Sequence, residues 1–207
     1  MSARASILNR IRRAERTGHV PTQAPSAPPL AAAQASGADN LRRFAAELQA
    51  LGVDLFIEDS DDAVRSRIVA LVGSHPVLQW DAAALPYDVG GLFPWALTGK
   101  SPRDAQASAE IGITGADAAI AETGSLVLLS GKDKPRAASL LPPTHLAIVR
   151  RSDLCASMGE CFAAHADAIA RAACCTFVTG PSRTADIELT LTLGVHGPGA
   201  VIVVVGP

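Results

Sequence analysis

Aromatic side chains are scarce: five Phe, two Trp and one Tyr in 207 residues. A stacking surface for unpaired bases needs several aromatic platforms, so nucleic-acid binding of that kind is excluded. Excess charge is lacking too. Lys and Arg number 18 against 20 Asp and Glu, a net charge of −2, so no polyanion partner is implied. Only four cysteines occur, at 155, 161, 174 and 175, and no two are spaced as CxxC. The usual zinc and iron–sulfur patterns therefore fail, and a metal site is not expected. Four free thiols packed as small hydrophobes fit a reducing, cytoplasmic compartment. The longest apolar runs, such as Val201–Val205, are far too short to span a bilayer. No fixed-period repeat, GxxxxGK[ST] loop, GxGxxG fingerprint or G-x-S-x-G elbow is present.

What is present is a chain that is 48% hydrophobic and 18% charged, enough to bury a core without disulfide or metal staples. Residues 1–20 read as an amphipathic helix. Ile7, Leu8, Ile11 and Ala14 form one stripe, and five arginines stand against the single acidic residue Glu15. The rest of the chain then holds 13 basic and 19 acidic residues. No apolar stretch of signal-peptide length follows the arginines. The acid-poor, Arg-rich composition also fits a mitochondrial presequence. Residues 21–38, PTQAPSAPPLAAAQASGA, carry no charge and four prolines and read as a semi-extended linker. A short helix is marginal alone, so its stripe needs a cover: the body, a second copy in a homo-oligomer, or a partner subunit, of which we expect a subunit.

The domain proper is expected over 39–207, with Asp39 as an N-cap and a first helix carrying Leu41, Phe44, Leu48 and Leu51. Seven short apolar strands are read at 53–57, 77–80, 109–114, 126–129, 145–149, 176–178 and 201–205. Asp61 or Asp62 caps a helix striped by Val64, Ile68, Leu71 and Val72. Ala116–Ala121 reads as a short helical piece. Asp153 opens a helix with Leu154, Met158, Phe162, His165 and Ile169 inward. Short strands alternating with helices predict a largely parallel sheet covered on both sides. Residues 81–103, rich in Gly and Pro, read either as an excursion over the core or as a lid.

Three constellations could carry chemistry. Thr114, Gly115, Asp117, Glu122, Thr123 and Gly124 lie between two strands among small residues that admit a ligand to the backbone. Glu122 there is a nucleophile, a base or a ligand clamp; the plainer alternative is that Asp117 and Glu122 satisfy nearby N–H groups. Ser182, Arg183, Thr184 and Asp186 follow Gly180-Pro181. They read as a helix N-terminus with an arginine fork for a carboxylate or phosphate, or as an ordinary capping box. His145, at a strand start, and His196, between glycines, are candidate acid–base groups near neutral pH. His165 reads as a core or partly buried residue, and His19 and His75 lack supporting neighbours. Ser125 and Ser182 lack the context of a nucleophilic serine.

Three stretches occur in order: GITGADAAIAETGSLVLLSG at 112–131, SLLPPTHLAIV at 139–149 and GPSRTADIELTLTLGVHGPG at 180–199. Together they resemble the LUD-domain family, lactate utilization protein C type, and SILNRIRRAE at 6–15 is similar to that family's opening helix, which weakens the presequence reading. The resemblance implies a three-layer α/β/α sandwich with a mostly parallel sheet, similar to the CoA-transferase and ribose-phosphate-isomerase superfold. It implies a non-redox subunit of a system oxidising L-lactate to pyruvate. No cofactor is expected on this chain, and iron–sulfur clusters are expected in partner proteins. A small carboxylate or phosphorylated ligand is the expected binding partner. The alternative is a free-standing CoA-transferase-like or phosphosugar-acting enzyme using Glu122, whose Glu-x-Gly is similar to that of related CoA-transferases; that link is fold-level analogy.

Overall fold

The computed structural model describes residues 3–18, 37–185 and 190–207. The chain divides into two units, residues 1–30 and 31–207. In the first, Ala3–Thr17 form helix α1, with Ile7, Leu8 and Ile11 exposed. Apart from Gly37 and Ala38, the expected linker lies outside the described residues. Those two residues already open helix α2 (Gly37–Leu51), so Asp39 sits in its first turn rather than capping it.

In the second unit, a five-stranded, wholly parallel sheet is ordered β1–β11–β6–β3–β2. Its strands are β1 (Asp54–Ile57), β2 (Val77–Gln79), β3 (Ile111–Gly115), β6 (Thr144–Arg150) and β11 (Ala200–Gly206). Alternation along the strands divides the core between two faces. Ile111, Ile113, Leu146, Ile148 and Val204 pack with Val64, Ile68 and Val72 of helix α3 (Asp61–Val72). Ala147, Val149, Val201, Val203 and Val205 pack with Phe44 and Leu48 of α2. Burying each of those two α2 side chains contributes roughly 1.5–3 kcal/mol. Both helices are thus pinned by stripes that the sequence displays. The cap of α3 is Ser60, not Asp61 or Asp62: its Oγ accepts the Ala63 N–H at 3.2 Å.

A second, four-stranded sheet shares the α2 side, ordered β7–β4–β5–β8. It comprises β4 (Ala118–Ile120), β5 (Ser125–Leu129), β7 (Leu154–Cys155) and β8 (Cys175–Val178), with β5 antiparallel to both β4 and β8. Two expectations are corrected here. Ala116–Ala121 is not helical but contributes β4, and Asp153 does not open a helix but precedes β7. Beyond the short helix α4 (Arg103–Ala107), helix α5 (Met158–Arg171) begins four residues after Leu154, capped by Ser157 Oγ, which accepts the Glu160 N–H at 3.2 Å. Its buried side is centred on Cys161, with Ala168, Ile169 and Ala172 packed on the second sheet. Met158 and Phe162 face outward.

Residues 81–103 cover the core and do not form a lid. Val89, Phe93 and Leu85 are buried against the α3 side. The Gln79 amide donates to Gly90 O at 3.1 Å, and Tyr87 Oη donates to Pro207 O at 2.7 Å. Tyr87 and Asp88 hold left-handed φ of 59° and 55°, a cost that this anchoring sustains.

Candidate functional site

The first constellation is divided, and only its Thr123–Gly124 end lies along the C-terminal half of α2. Gly124 turns the chain with φ of 65°, and a side chain there would stand 3.0 Å from Glu47 Cβ and 3.2 Å from Leu48 N. This close approach carries Thr123 and Ser125 into a chain of hydroxyls. Thr123 Oγ1 and Ser125 Oγ are 2.8 Å apart, and Ser125 Oγ and Thr179 Oγ1 are 2.7 Å apart. Gly180, with φ of 81°, packs on Leu51 of the same helix. Glu122 is half-buried, and its Oε1 accepts the Met158 N–H at 2.7 Å, at the first turn of α5. A carboxylate there satisfies an orphan donor and opposes the positive end of the helix dipole. Glu160 accepts the Ala156 N–H at 2.6 Å, so α5 starts with two carboxylates and a serine cap.

The second constellation does not form a helix N-terminus. Arg183–Thr184 are strand β9, paired antiparallel with Thr192–Leu193, strand β10. The expected cap at Ser182 or Thr184 is therefore corrected; the Ser-x-x-Glu start is at Ser157–Glu160 instead. Arg183 Nη2 donates to Leu51 O, where a cation complements the carboxyl end of α2. Asp186 lies outside the described residues. Ser182 N–H donates to Pro198 O at 2.9 Å, and its carbonyl accepts the Gly194 N–H at 2.9 Å. The turn bearing His196 is thus folded onto Ser182, with His196 exposed.

His145 is fully buried on the α2 side of the parallel sheet, hydrogen-bonded through Nε2 to Thr114 Oγ1 at 2.8 Å. Burial pushes its pKa down to about 4, so the ring is neutral at physiological pH. The expectation of an acid–base group near neutral pH is corrected: His145 and Thr114 are a core pair. Gly115 is pressed between Trp80 and Pro86, where a Cβ would meet both within 3.4 Å.

Asp117 leaves this interior at the carboxyl end of the parallel strands, where open α/β sheets place their ligands. Its Oδ2 accepts the Leu129 N–H at 2.8 Å, and its Oδ1 takes Lys134 Nζ at 2.5 Å. The ammonium also lies 4.9 Å from the centre of the Trp80 ring. Trp80 and Lys134 are not among the expected site residues. The signal for Lys134 is the charged run Lys132–Arg136 directly after a buried strand.

Cys155 and Cys161 are buried, and burial pushes the Cys155 thiol up to about 12. Among the described residues, no three His, Cys, Asp or Glu side chains converge as metal ligands. No described helix is long and apolar enough to cross a membrane.

The structure is similar to a crystal structure of a DUF162 family protein from Deinococcus radiodurans. The TM-score is 0.69 at 24% identity, covering 84% of this chain and 99% of that one, which establishes the shared fold. Among sequences, a protein named Lactate utilization protein C from Geobacillus sp. strain WCH70 is 34% identical over 149 residues, 63% of this chain and 62% of that protein. The protein of that name from Macrococcus caseolyticus is 31% identical over 150 residues, 68% of this chain and 65% of it. The one from Bacillus subtilis is 43% identical over 94 residues, 44% of this chain and 39% of it. This chain therefore spans less than two thirds of the length of the curated relatives it matches. Residues 41–205 match the LUD domain model, and the chain belongs to the LUD domain family.

Proposed function

We propose that this chain serves L-lactate utilization as a non-redox subunit of a system that oxidises L-lactate to pyruvate, and that it binds a small anionic ligand. The observation that carries this reading is the repeated likeness to proteins named Lactate utilization protein C. Electrons pass through iron–sulfur clusters held by partner proteins. This chain's own thiols support that division. Two are locked in the core, and the other two are neighbours at the start of one strand, a poor cage for a cluster. Ligand binding is supported by the Lys134 ammonium, held beside Asp117 and Trp80 at the carboxyl end of the parallel sheet. Deleting the gene impairs growth on L-lactate and leaves growth on pyruvate intact; equal growth on both refutes the reading.

A further inference from the structure

An open groove of about 720 Å3 separates the Gly99–Gln106 stretch from the Pro135–Leu141 stretch. Arg103 and Arg136 line it, and among the described residues neither is ion-paired with a carboxylate. Leu140 and Leu141 also line it, 46% and 54% exposed. Arg136 lines a second space as well: a crevice of about 10 Å3, with Trp80, Ser130, Lys134 and Thr176 in its walls. That volume is close to what one water-sized atom needs. Ser130 Oγ is buried with no hydrogen-bond partner among the described residues. Lys134 is held at the crevice by Asp117 and Trp80.

These observations share one logic. Arg103 and Arg136 line the groove, Arg136 and Lys134 line the crevice, and no carboxylate belongs to either lining; among the described residues only Lys134 is ion-paired, with Asp117, so the place keeps a positive surplus. The crevice has room for a single oxygen and holds an unused hydroxyl to meet it. The groove beyond offers apolar surface that water does not favour. We propose that the junction at Arg136 binds an oxyanion, carboxylate or phosphate, carried on a short apolar body. One anion oxygen enters the crevice toward Ser130 and Lys134. Arg136 grips the head from the groove side, and the body lies along Leu140 and Leu141. The proposal rests on the small-anion part of the functional reading and gives it a location away from Arg183. The Cys174 thiol lies beside this junction, its pKa lowered first by a hydrogen bond with Thr176 and then by one with Arg136.

The test uses the full chain with Trp95→Phe, which leaves Trp80 as the reporter. Acetate, hexanoate and inorganic phosphate are titrated at constant ionic strength while tryptophan emission is followed. A saturable change is expected, with hexanoate tighter than acetate. Arg136→Gln weakens every anion roughly tenfold or more, the loss of one charge-assisted hydrogen bond. Leu141→Ser erases the advantage of hexanoate and leaves acetate unchanged. Lys132→Gln, an exposed charge on the same turn, binds as the parent does. Phosphate binding tighter than both carboxylates assigns a phosphoryl head; the reverse assigns a carboxylate. Emission that changes without saturation for all three anions, or an Arg136→Gln variant that binds normally, overturns the proposal. Binding read this way is independent of growth on L-lactate, so the failure of one reading is distinguishable from that of the other.

Discussion

His145 makes acid stability a direct probe of the core. Its ring is fully buried, its Nε2 is engaged by Thr114, and its pKa is about 4 against an ordinary 6.5. Above pH 6.5 the ring is neutral in both the folded and the unfolded chain and contributes no pH dependence. As pH falls from 6.5 toward 4, the unfolded chain takes up a proton that the folded chain refuses, and stability is lost. Each pH unit inside that window costs about 1.4 kcal/mol. The loss from pH 7 to pH 5 is then about 2 kcal/mol, rising to about 3 kcal/mol below pH 4. Urea unfolding of the parent and of His145→Gln, at several pH values between 7 and 4, isolates this term. Carboxylates titrate in both proteins and cancel in the comparison. Gln keeps a polar group for Thr114 and carries no proton switch, so the variant starts less stable and loses less on acidification. Parallel curves for the two proteins would refute the assignment.

The remaining predictions follow from packing, capping and thiol chemistry. Gly112→Ala would place a methyl carbon 1.7 Å from Ala138 O, so it destabilises by about 3 kcal/mol or more in urea unfolding, whereas Gly131→Ala, with open space around it, stays within about 0.5 kcal/mol. Ser157→Ala removes the cap of α5 and costs about 1 kcal/mol in the same assay. Glu122→Gln keeps an acceptor for the Met158 N–H but loses its charge beside the helix start, costing about 0.3–1 kcal/mol and preserving complementation on L-lactate; a well-folded variant that fails to complement would restore the nucleophile reading. With a disulfide reagent at neutral pH, Cys174 reacts first, while Cys155 and Cys161 react only on unfolding; mass mapping of labelled peptides reads the order.

Each of the seven strand readings meets a strand in the structure, because each was an apolar run with Gly, Pro or charge beside it. What the runs did not disclose is that they belong to two sheets. Leu126–Leu129 and Thr176–Val178 are as continuously apolar as the parallel strands, since β5 is buried between the parallel sheet and α5. Periodicity reports burial on both faces and is silent about which neighbour supplies it. Ala118–Ile120 was read as helical because alanine favours helix locally. Pairing with β5 and β7 overrides that weak preference in a three-residue buried strand. The α5 stripe is misplaced only in part. Ile169 does pack inward, whereas Met158 and Phe162 are exposed, and the rest of the inward face is Cys161, Ala168 and Ala172, which weigh little in a hydropathy reading.

The site residues divide along the same line. The turn at Thr123–Gly124 was legible as a place of close approach because small residues surround it, and Gly124, with its positive φ, does pack on α2; Gly180, expected only to break a strand, packs on the same helix. Arg183 was misread because a Gly-Pro-Ser-Arg stretch after a strand has the grammar of a helix start. Its actual partner is a carbonyl 132 residues away in sequence, which no local pattern can announce. His145 looked like an acid–base group because its type titrates near neutrality, yet its parity with Ala147 and Val149 on β6 already placed it on an apolar face. Lys134 and Arg136 stand in a charged turn that no local pattern marks as a site. Only the return of that turn to the ends of β2 and β3, where Asp81 N–H donates to Asp133 O at 3.0 Å, sets those charges against Trp80 and Asp117. A charged run after a buried strand is therefore best read together with the strand ends it folds back upon, because the sheet decides whether its charges face water or a ligand.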